Sequence, residues 1–238
     1  AAAGDDALLK VLKLDPIGAK PSAPGANLTM NQTLGGHSRA IVALDWNEEY
    51  GKLTTADDSG VIIVWVLHRG AWYEEMINNH KKCAVAALRW TADGQRICIA
   101  YTDGHSIVGT VDGQRVWARE LGLKPTGVAW SPSGRVLLFS TTAGEVHVHD
   151  ANGNSVSQMP LPCADAGASA IAGVEWYDGA EGIYDPSTPS LAVALASGML
   201  QLMRDHLDEA PLILDTGMAV STLRWSNDGN ILAVAGTI

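Results

Sequence analysis

The chain has 238 residues, of which 47% are hydrophobic and 18% are charged, a composition typical of a globular domain. Its net charge is −10 and its 16 lysines and arginines are scattered, which argues against nucleic acid as a partner and favours a basic protein surface. No apolar run approaches the roughly 20 residues that a membrane-spanning helix needs. The N-terminal segment AAAGDDALLK lacks the basic and apolar regions of a signal peptide, so none is expected.

Short strands follow one another from the start of the chain. Residues 1–14 indicate the end of a second strand, a turn and a third strand, and the Pro- and Gly-rich segment Asp15–Ala26 is predicted to be a solvated loop. The clearest unit comes next. It consists of a strand at Ala40–Trp46, a polar turn, a strand at Lys52–Ala56, the tight turn DDSG and a strand at Val61–Val66.

This unit repeats along the chain. Five apolar strands end on a tryptophan, and the tryptophans lie 40 to 49 residues apart: Trp46, Trp90, Trp130, Trp176 and Trp225. Each strand is followed by a second apolar strand, and the full units continue with a tight turn, a third apolar strand and a more polar fourth strand. A repeat of four short strands in about 40 to 45 residues is typical of propeller blades. Apolar inner strands and a polar outer strand also fit a blade, because only the outer strand is a sheet edge.

The repeat therefore predicts an all-β propeller with about five to six blades, each of four strands. The predicted boundaries are a partial blade at 1–34, full blades at 36–77, 80–119, 124–160 and 168–215, and a partial blade at 218–238. A closed ring needs more residues, so we expect an incomplete ring that is an excerpt of a longer protein. The insertion Tyr177–Pro189 is expected to project from one face, where partners bind.

The Gly36-His37 pair and the tryptophan 28 residues after the histidine resemble the GH…WD framework of WD40 repeats. In that family a histidine, a Ser or Thr on the second strand, an Asp in the next turn and the tryptophan form a hydrogen-bonded chain that locks the blade. His37, Thr54 or Thr55, and Trp65 are the candidates here, with a structural and not a catalytic role. The family aspartate would lie six residues before the tryptophan, where this chain has Ser59. Asp58 is adjacent but shifted by one, so we expect a loose network.

No catalytic, cofactor-binding or metal-binding residues are predicted. His147 and His149 alternate onto one face of a strand, but no third or fourth metal ligand can be nominated, and packing between blades is the alternative. The aspartates sit in exposed turns, where backbone geometry explains them. Cys83, Cys98 and Cys163 form no CxxC pair, and their sparse, odd count is typical of a reducing compartment.

Several phrases go beyond the general repeat, among them LTTADDSGVIIVW, EEMINN and GEVHVHDANGN. They resemble the N-terminal WD-repeat propeller of one subunit of intraflagellar transport complex A, the WD-repeat subunit named for a mass of about 121 kDa. The resemblance covers essentially the whole chain. A tubby-like WD protein and the large coatomer subunits resemble it more distantly.

The resemblance implies a non-enzymatic scaffold or adaptor without cofactors, which supports retrograde ciliary transport and the entry of membrane-protein cargo into the cilium. The implied partners are the other complex A subunits, the transport train and the cargo, with only indirect membrane association. The implied location is the cytoplasmic side of the cilium and basal body. Two alternatives stay open: a vesicle-coat-like propeller that reads cytosolic sorting motifs, and a propeller enzyme with acidic or histidine residues clustered at its axis.

Overall fold

The computed structural model describes residues 1–14, 28–79, 82–164, 169–177, 179 and 187–238. Every regular element in these residues is a strand, and among them no helix could cross a membrane. By its internal contacts the chain divides into two compact units, Ala1–Val85 and Ala86–Ile238. The predicted loop Asp15–Ala26 lies outside the described residues, as does most of the predicted insertion at 177–189.

The first unit contains two antiparallel sheets. A three-stranded sheet has the order β1-β2-β3, and a four-stranded sheet has the order β4-β5-β6-β7. The strands are β1 (Ala2–Ala3), β2 (Leu9–Leu14), β3 (Leu28–Leu34), β4 (Ile41–Asn47), β5 (Lys52–Asp57), β6 (Ile62–His68) and β7 (Ala71–Asn78). Gln32 joins the last strands of the two sheets, because its side-chain amide donates to the Trp72 carbonyl at 3.0 Å and accepts the Trp72 N–H at 2.8 Å.

The second unit contains three four-stranded meanders and a two-stranded sheet. The first meander comprises β8 (Val85–Trp90), which begins at the unit boundary, β9 (Arg96–Tyr101), β10 (His105–Thr110) and β11 (Arg115–Glu120). The second comprises β12 (Pro125–Trp130), β13 (Val136–Thr141), β14 (Val146–Asp150) and β15 (Ser155–Met159). The third comprises β16 (Ile171–Trp176), β17 (Leu191–Leu195), β18 (Met199–Met203) and β19 (Leu212–Asp215), and β20 (Ala219–Trp225) pairs with β21 (Leu232–Thr237).

Tight turns join the second and third strands at the same place in each full sheet. In each turn a glycine N–H donates to the carbonyl of the last residue of the second strand, as Gly104 does to Tyr101 and Gly144 to Thr141, both at 3.0 Å. Both glycines have φ well above zero, and a Cβ would lie within 2.6 Å of a backbone carbonyl oxygen. Glycine is therefore required there.

Burial follows the order of the strands. The second strands β9, β13 and β17 are almost wholly buried, whereas the fourth strands β11 and β19 are largely exposed. This is the predicted gradient from apolar inner strands to a polar edge. The prediction was wrong for the first strand of the clearest unit. In β4 the side chains of Val42, Leu44 and Trp46 are 48%, 38% and 45% exposed, because burial alternates along the strand.

Candidate functional site

A buried hydrogen-bonded chain lies within the sheet β4–β7 and involves three of the predicted residues. The Trp65 indole Nε1–H donates to the Thr55 hydroxyl at 2.9 Å, and the same hydroxyl lies 2.7 Å from the His37 Nε2. Thr55 and Trp65 are buried, as is the His37 side chain. The β5–β6 register, in which Thr55 opposes Ile63 and Leu53 opposes Trp65, places the hydroxyl and the indole on one face of the sheet.

Thr54 is also buried. Because side chains alternate along a strand, Thr54 faces the opposite side of the sheet from Thr55. Of the two threonines that the sequence offered, Thr55 is therefore the one that bridges the histidine and the tryptophan.

The carboxylate of this chain is Asp57 and not Asp58, which corrects the expectation of a loose network with a shifted aspartate. Its Oδ2 lies 2.9 Å from the His37 Nδ1, while its Oδ1 accepts the Ser59 hydroxyl at 2.6 Å and the N–H groups of Ser59 and Val61. Ser59, which occupies the usual aspartate position, thus donates to a carboxylate two residues earlier. Asp57 can serve because it ends β5 and its side chain folds back over the turn.

For a neutral His37 imidazole, these contacts are satisfied by one arrangement of the protons. Because the Asp57 carboxylate only accepts, the His37 Nδ1 carries hydrogen, and in the neutral imidazole the Nε2 then accepts from the Thr55 hydroxyl. Each hydrogen points from Trp65 through Thr55 and His37 toward Asp57. Burial alone raises the pKa of Asp57, but the hydrogen bonds from Ser59, His37 and the backbone outweigh it, so this pKa lies below its ordinary value.

The other full sheets have different residues at the positions of Thr55 and Trp65. By register, the positions of Thr55 and Trp65 correspond to Ile99 and Gly109 in the next sheet, Phe139 and His149 in the one after, and Val193 and Met203 in the last. Phe139 and His149 form an edge-to-face pair with ring centroids 5.1 Å apart. The sheet β4–β7 is therefore the one full sheet in the described residues with a hydroxyl-to-indole hydrogen bond at these positions.

The repeated tryptophans form contacts between sheets in the second unit. The Trp130 Nε1–H donates to the Arg89 carbonyl at 3.0 Å, and the Trp225 Nε1–H donates to the Glu175 carbonyl at 3.4 Å. In both cases the acceptor is the residue before the tryptophan of the preceding first strand. These two indoles thus reach the backbone of the sheet before them, whereas the buried Trp176 indole N–H has no hydrogen-bond partner among the described residues.

The side chains at the same positions form an ion cluster. One oxygen of the Glu175 carboxylate accepts from Arg89 at 2.9 Å and from Arg224 at 2.6 Å. On β12, which lies between β8 and β16 in the chain, the equivalent position is Ala129. Its side chain is too small to keep Arg89 and Glu175 apart. This cluster was not predicted from the sequence. The available signal was the residue before each tryptophan, which reads Asp45, Arg89, Ala129, Glu175 and Arg224.

Comparison with known proteins identifies the family of this chain. A family model described as the WDR35/TULP4 N-terminal β-propeller matches residues 1–238. The chain belongs to this family. The match confirms the predicted fold class, an all-β WD40-type β-propeller.

Individual proteins are also similar to the chain. The chain is 48% identical to WD repeat-containing protein 35 of Homo sapiens over 243 residues, which are 99% of this chain and 21% of that protein. The corresponding Mus musculus protein is 47% identical over 244 residues. Tubby-related protein 4 of Homo sapiens is 31% identical over 235 residues, covering 87% of this chain and 15% of that protein. The chain thus spans about a fifth of the length of its WD repeat-containing protein 35 relatives.

The two histidines and the three cysteines that the sequence offered as candidates also have neighbours in the structure. The His147 Nε2 lies 3.0 Å from the Glu145 Oε2. His149 is buried against Phe139, and burial lowers the pKa of His149. Among the described residues no group of three or more His, Cys, Asp or Glu side chains could hold a metal ion. All three cysteines are free thiols, and burial raises the pKa of Cys98 and of Cys163.

Proposed function

We propose that the chain is the propeller of a non-enzymatic scaffold subunit of intraflagellar transport complex A. In this role it supports retrograde ciliary transport and the ciliary entry of membrane-protein cargo through protein–protein contacts. It works on the cytoplasmic side of the cilium and basal body, and its partners are the other complex A subunits, the transport train and the cargo. Membrane association is indirect.

One observation carries the proposal: the 48% identity to WD repeat-containing protein 35 extends over 99% of the chain. The chain also contains segments that the repeat does not require, such as EEMINN, which begins in β7. Tubby-related protein 4 shares the family fold at 31% identity, so the extra identity reflects more than the fold. The resemblance of these segments to the complex A subunit supports the functional part of the proposal.

The interactions in the structure suit a scaffold. The four-residue chain of hydrogen bonds in β4–β7 and the Arg89–Glu175–Arg224 cluster use polar side chains to fix strands and sheets, and their charged groups are already paired. Rigid sheets of this kind present loops in fixed positions, which is what a protein that binds several partners requires.

Affinity purification of the intact protein from ciliated cells tests the proposal. We expect recovery of the other complex A subunits. The matched control is a chimera in which residues 1–238 are exchanged for the corresponding region of tubby-related protein 4, since both regions belong to one fold family. The chimera should recover less of the complex. If the intact protein recovers none of the complex A subunits, the proposal fails.

A second candidate is a coat-like propeller that reads cytosolic sorting motifs, and the net charge of −10 favours it because lysine-rich tails are basic. Titration of a dilysine peptide against the protein separates the two candidates. Binding that is lost when the lysines are replaced by alanines would favour the coat-like function, whereas complex A recovery without peptide binding supports the scaffold.

A further inference from the structure

A polar cleft of about 460 Å³ opens between the sheets β8–β11 and β12–β15 of the second unit. It lies at the end of the sheets where first strands turn into second strands. Thr91, Asp93 and Arg96 line it from the β8–β9 turn and the start of β9, and Ser133 and Arg135 line it from the β12–β13 turn. Thr110, at the end of β10, completes the wall. Its lining includes no residue of the hydrogen-bonded chain in β4–β7 or of the Arg89–Glu175–Arg224 cluster.

Two arginines, Arg96 and Arg135, share this cleft. Arg39, Arg89, Arg204 and Arg224 are all paired with carboxylates. Neither Arg96 nor Arg135 forms an ion pair within the part of the chain that the structure describes. Arg96 is half-buried, which makes an uncompensated guanidinium there costly unless a ligand or water satisfies it.

Asp93, the acidic residue of the cleft, forms no ion pair with Arg96 or Arg135 among the described residues. Oδ1 of Asp93 accepts the Thr91 hydroxyl at 2.6 Å and the Gln95 N–H at 3.0 Å, so its carboxylate closes its own turn. The Thr110 hydroxyl oxygen accepts the Gln114 N–H at 3.1 Å, and its own hydrogen makes no bond among the described residues. The cleft therefore offers guanidinium and hydroxyl donors together.

We infer that this cleft binds an oxyanion carried by a protein segment, either the carboxylate of an acidic side chain or the phosphate of a phosphorylated serine. A guanidinium offers paired N–H donors that match both groups. A net charge of −10 repels an extended polyanion, so a single oxyanion on a peptide fits better than a nucleic acid. This inference rests on the proposed function, since it names the chemistry by which the scaffold holds one partner.

Fluorescence anisotropy on the full chain tests it with three labelled octapeptides of one backbone sequence. One has two central glutamates, the second has a phosphoserine in their place, and the third has two glutamines. We expect one or both acidic peptides to bind and the neutral peptide not to bind, with inorganic phosphate competing. Binding of the phosphoserine peptide alone identifies a phosphorylated partner, and binding of both identifies an acidic segment.

Variants locate the binding. R96Q together with R135Q should raise the Kd of the acidic peptide by about tenfold or more, because each removes charge-assisted hydrogen bonds. R96K and R135K keep the charge but lose the paired donors, and should weaken binding by less. R69Q is the matched control, since Arg69 is exposed and lies outside the cleft, and it should change the Kd less than twofold.

The inference is overturned if the wild-type chain binds acidic and neutral peptides alike, or if R96Q with R135Q binds as tightly as R69Q. The wild-type comparison needs no variant, so a variant that fails to fold leaves the test intact. Peptide binding also does not depend on complex A. Loss of peptide binding with normal recovery of complex A would therefore refute the cleft and leave the proposed function standing.

Discussion

The hydroxyl of Thr55 holds the hydrogen-bonded chain together, and its removal gives the sharpest test of the structure. Thr55→Val keeps the size and the β-branched shape of the side chain. It removes the acceptor of the Trp65 Nε1–H at 2.9 Å and the donor to the His37 Nε2 at 2.7 Å. Both of these nitrogens then lie buried without a partner.

Each buried polar group that loses its partner costs about 1–3 kcal/mol. Two such groups, allowing for partial relaxation, predict a loss of about 2–4 kcal/mol in the free energy of unfolding. Thr222→Val is the matched control, because Thr222 is an exposed strand residue, and it should change stability by less than about 0.5 kcal/mol. Urea unfolding monitored by tryptophan fluorescence measures both variants.

A double-mutant cycle with Trp65→Phe isolates the indole contact. If the bond exists, the two substitutions together should cost about 1 kcal/mol less than the sum of the single costs, because the second removes a donor that the first has already orphaned. Strict additivity, or a Thr55→Val cost no larger than that of Thr222→Val, would refute the reasoning.

Three further predictions concern neighbouring contacts. The pKa of Asp57 lies below its ordinary value in the folded state, so its stabilising contribution is present above about pH 4 and is lost as pH falls through the lower folded pKa. Between pH 7 and pH 3 the free energy of unfolding of D57N should therefore fall less steeply than that of the wild type. Equal falls in the two proteins would contradict this prediction. Glu175→Gln should lower stability by about 1–2 kcal/mol because it breaks two charge-assisted bonds, a loss that 1 M salt should mask in part; an unchanged denaturation midpoint would argue against the cluster. Gly36→Ala brings a Cβ to 2.9 Å from the Ile63 Cδ1 and should cost about 1–3 kcal/mol by thermal unfolding, whereas Gly35→Ala, with nothing within 4 Å, should be nearly neutral; similar losses in both would exclude overpacking as the cause.

The repeat allowed the strands to be predicted because each unit carries strong local signals. The Trp-ended strand, the Gly-containing turn and the apolar second strand all describe local geometry, which residue types determine directly. The sheet β4–β7 shows this well, since its predicted strands at Lys52–Ala56 and Val61–Val66 agree with β5 and β6 to within two residues at each end.

The site was harder to predict because its chemistry depends on three-dimensional reach. A family pattern counted six residues back from Trp65 and reached Ser59, yet Asp57 fills the role from two residues earlier. Likewise, nothing local to Glu175 shows that Arg89, 86 residues earlier, and Arg224 converge on it. Arg96 and Arg135 share a cleft only because successive sheets bring equivalent turns together.

The tryptophan contacts between sheets bear on how such a repeat changes over evolution. The indoles of Trp130 and Trp225 donate to main-chain carbonyls, and every residue type supplies a carbonyl. The indole contact therefore does not depend on which side chain stands at the accepting position. Arginine at 89 and glutamate at 175 can coexist at equivalent sites without weakening the joint. Substitutions at this position can accordingly change the local charge while the indole contact between the sheets is kept.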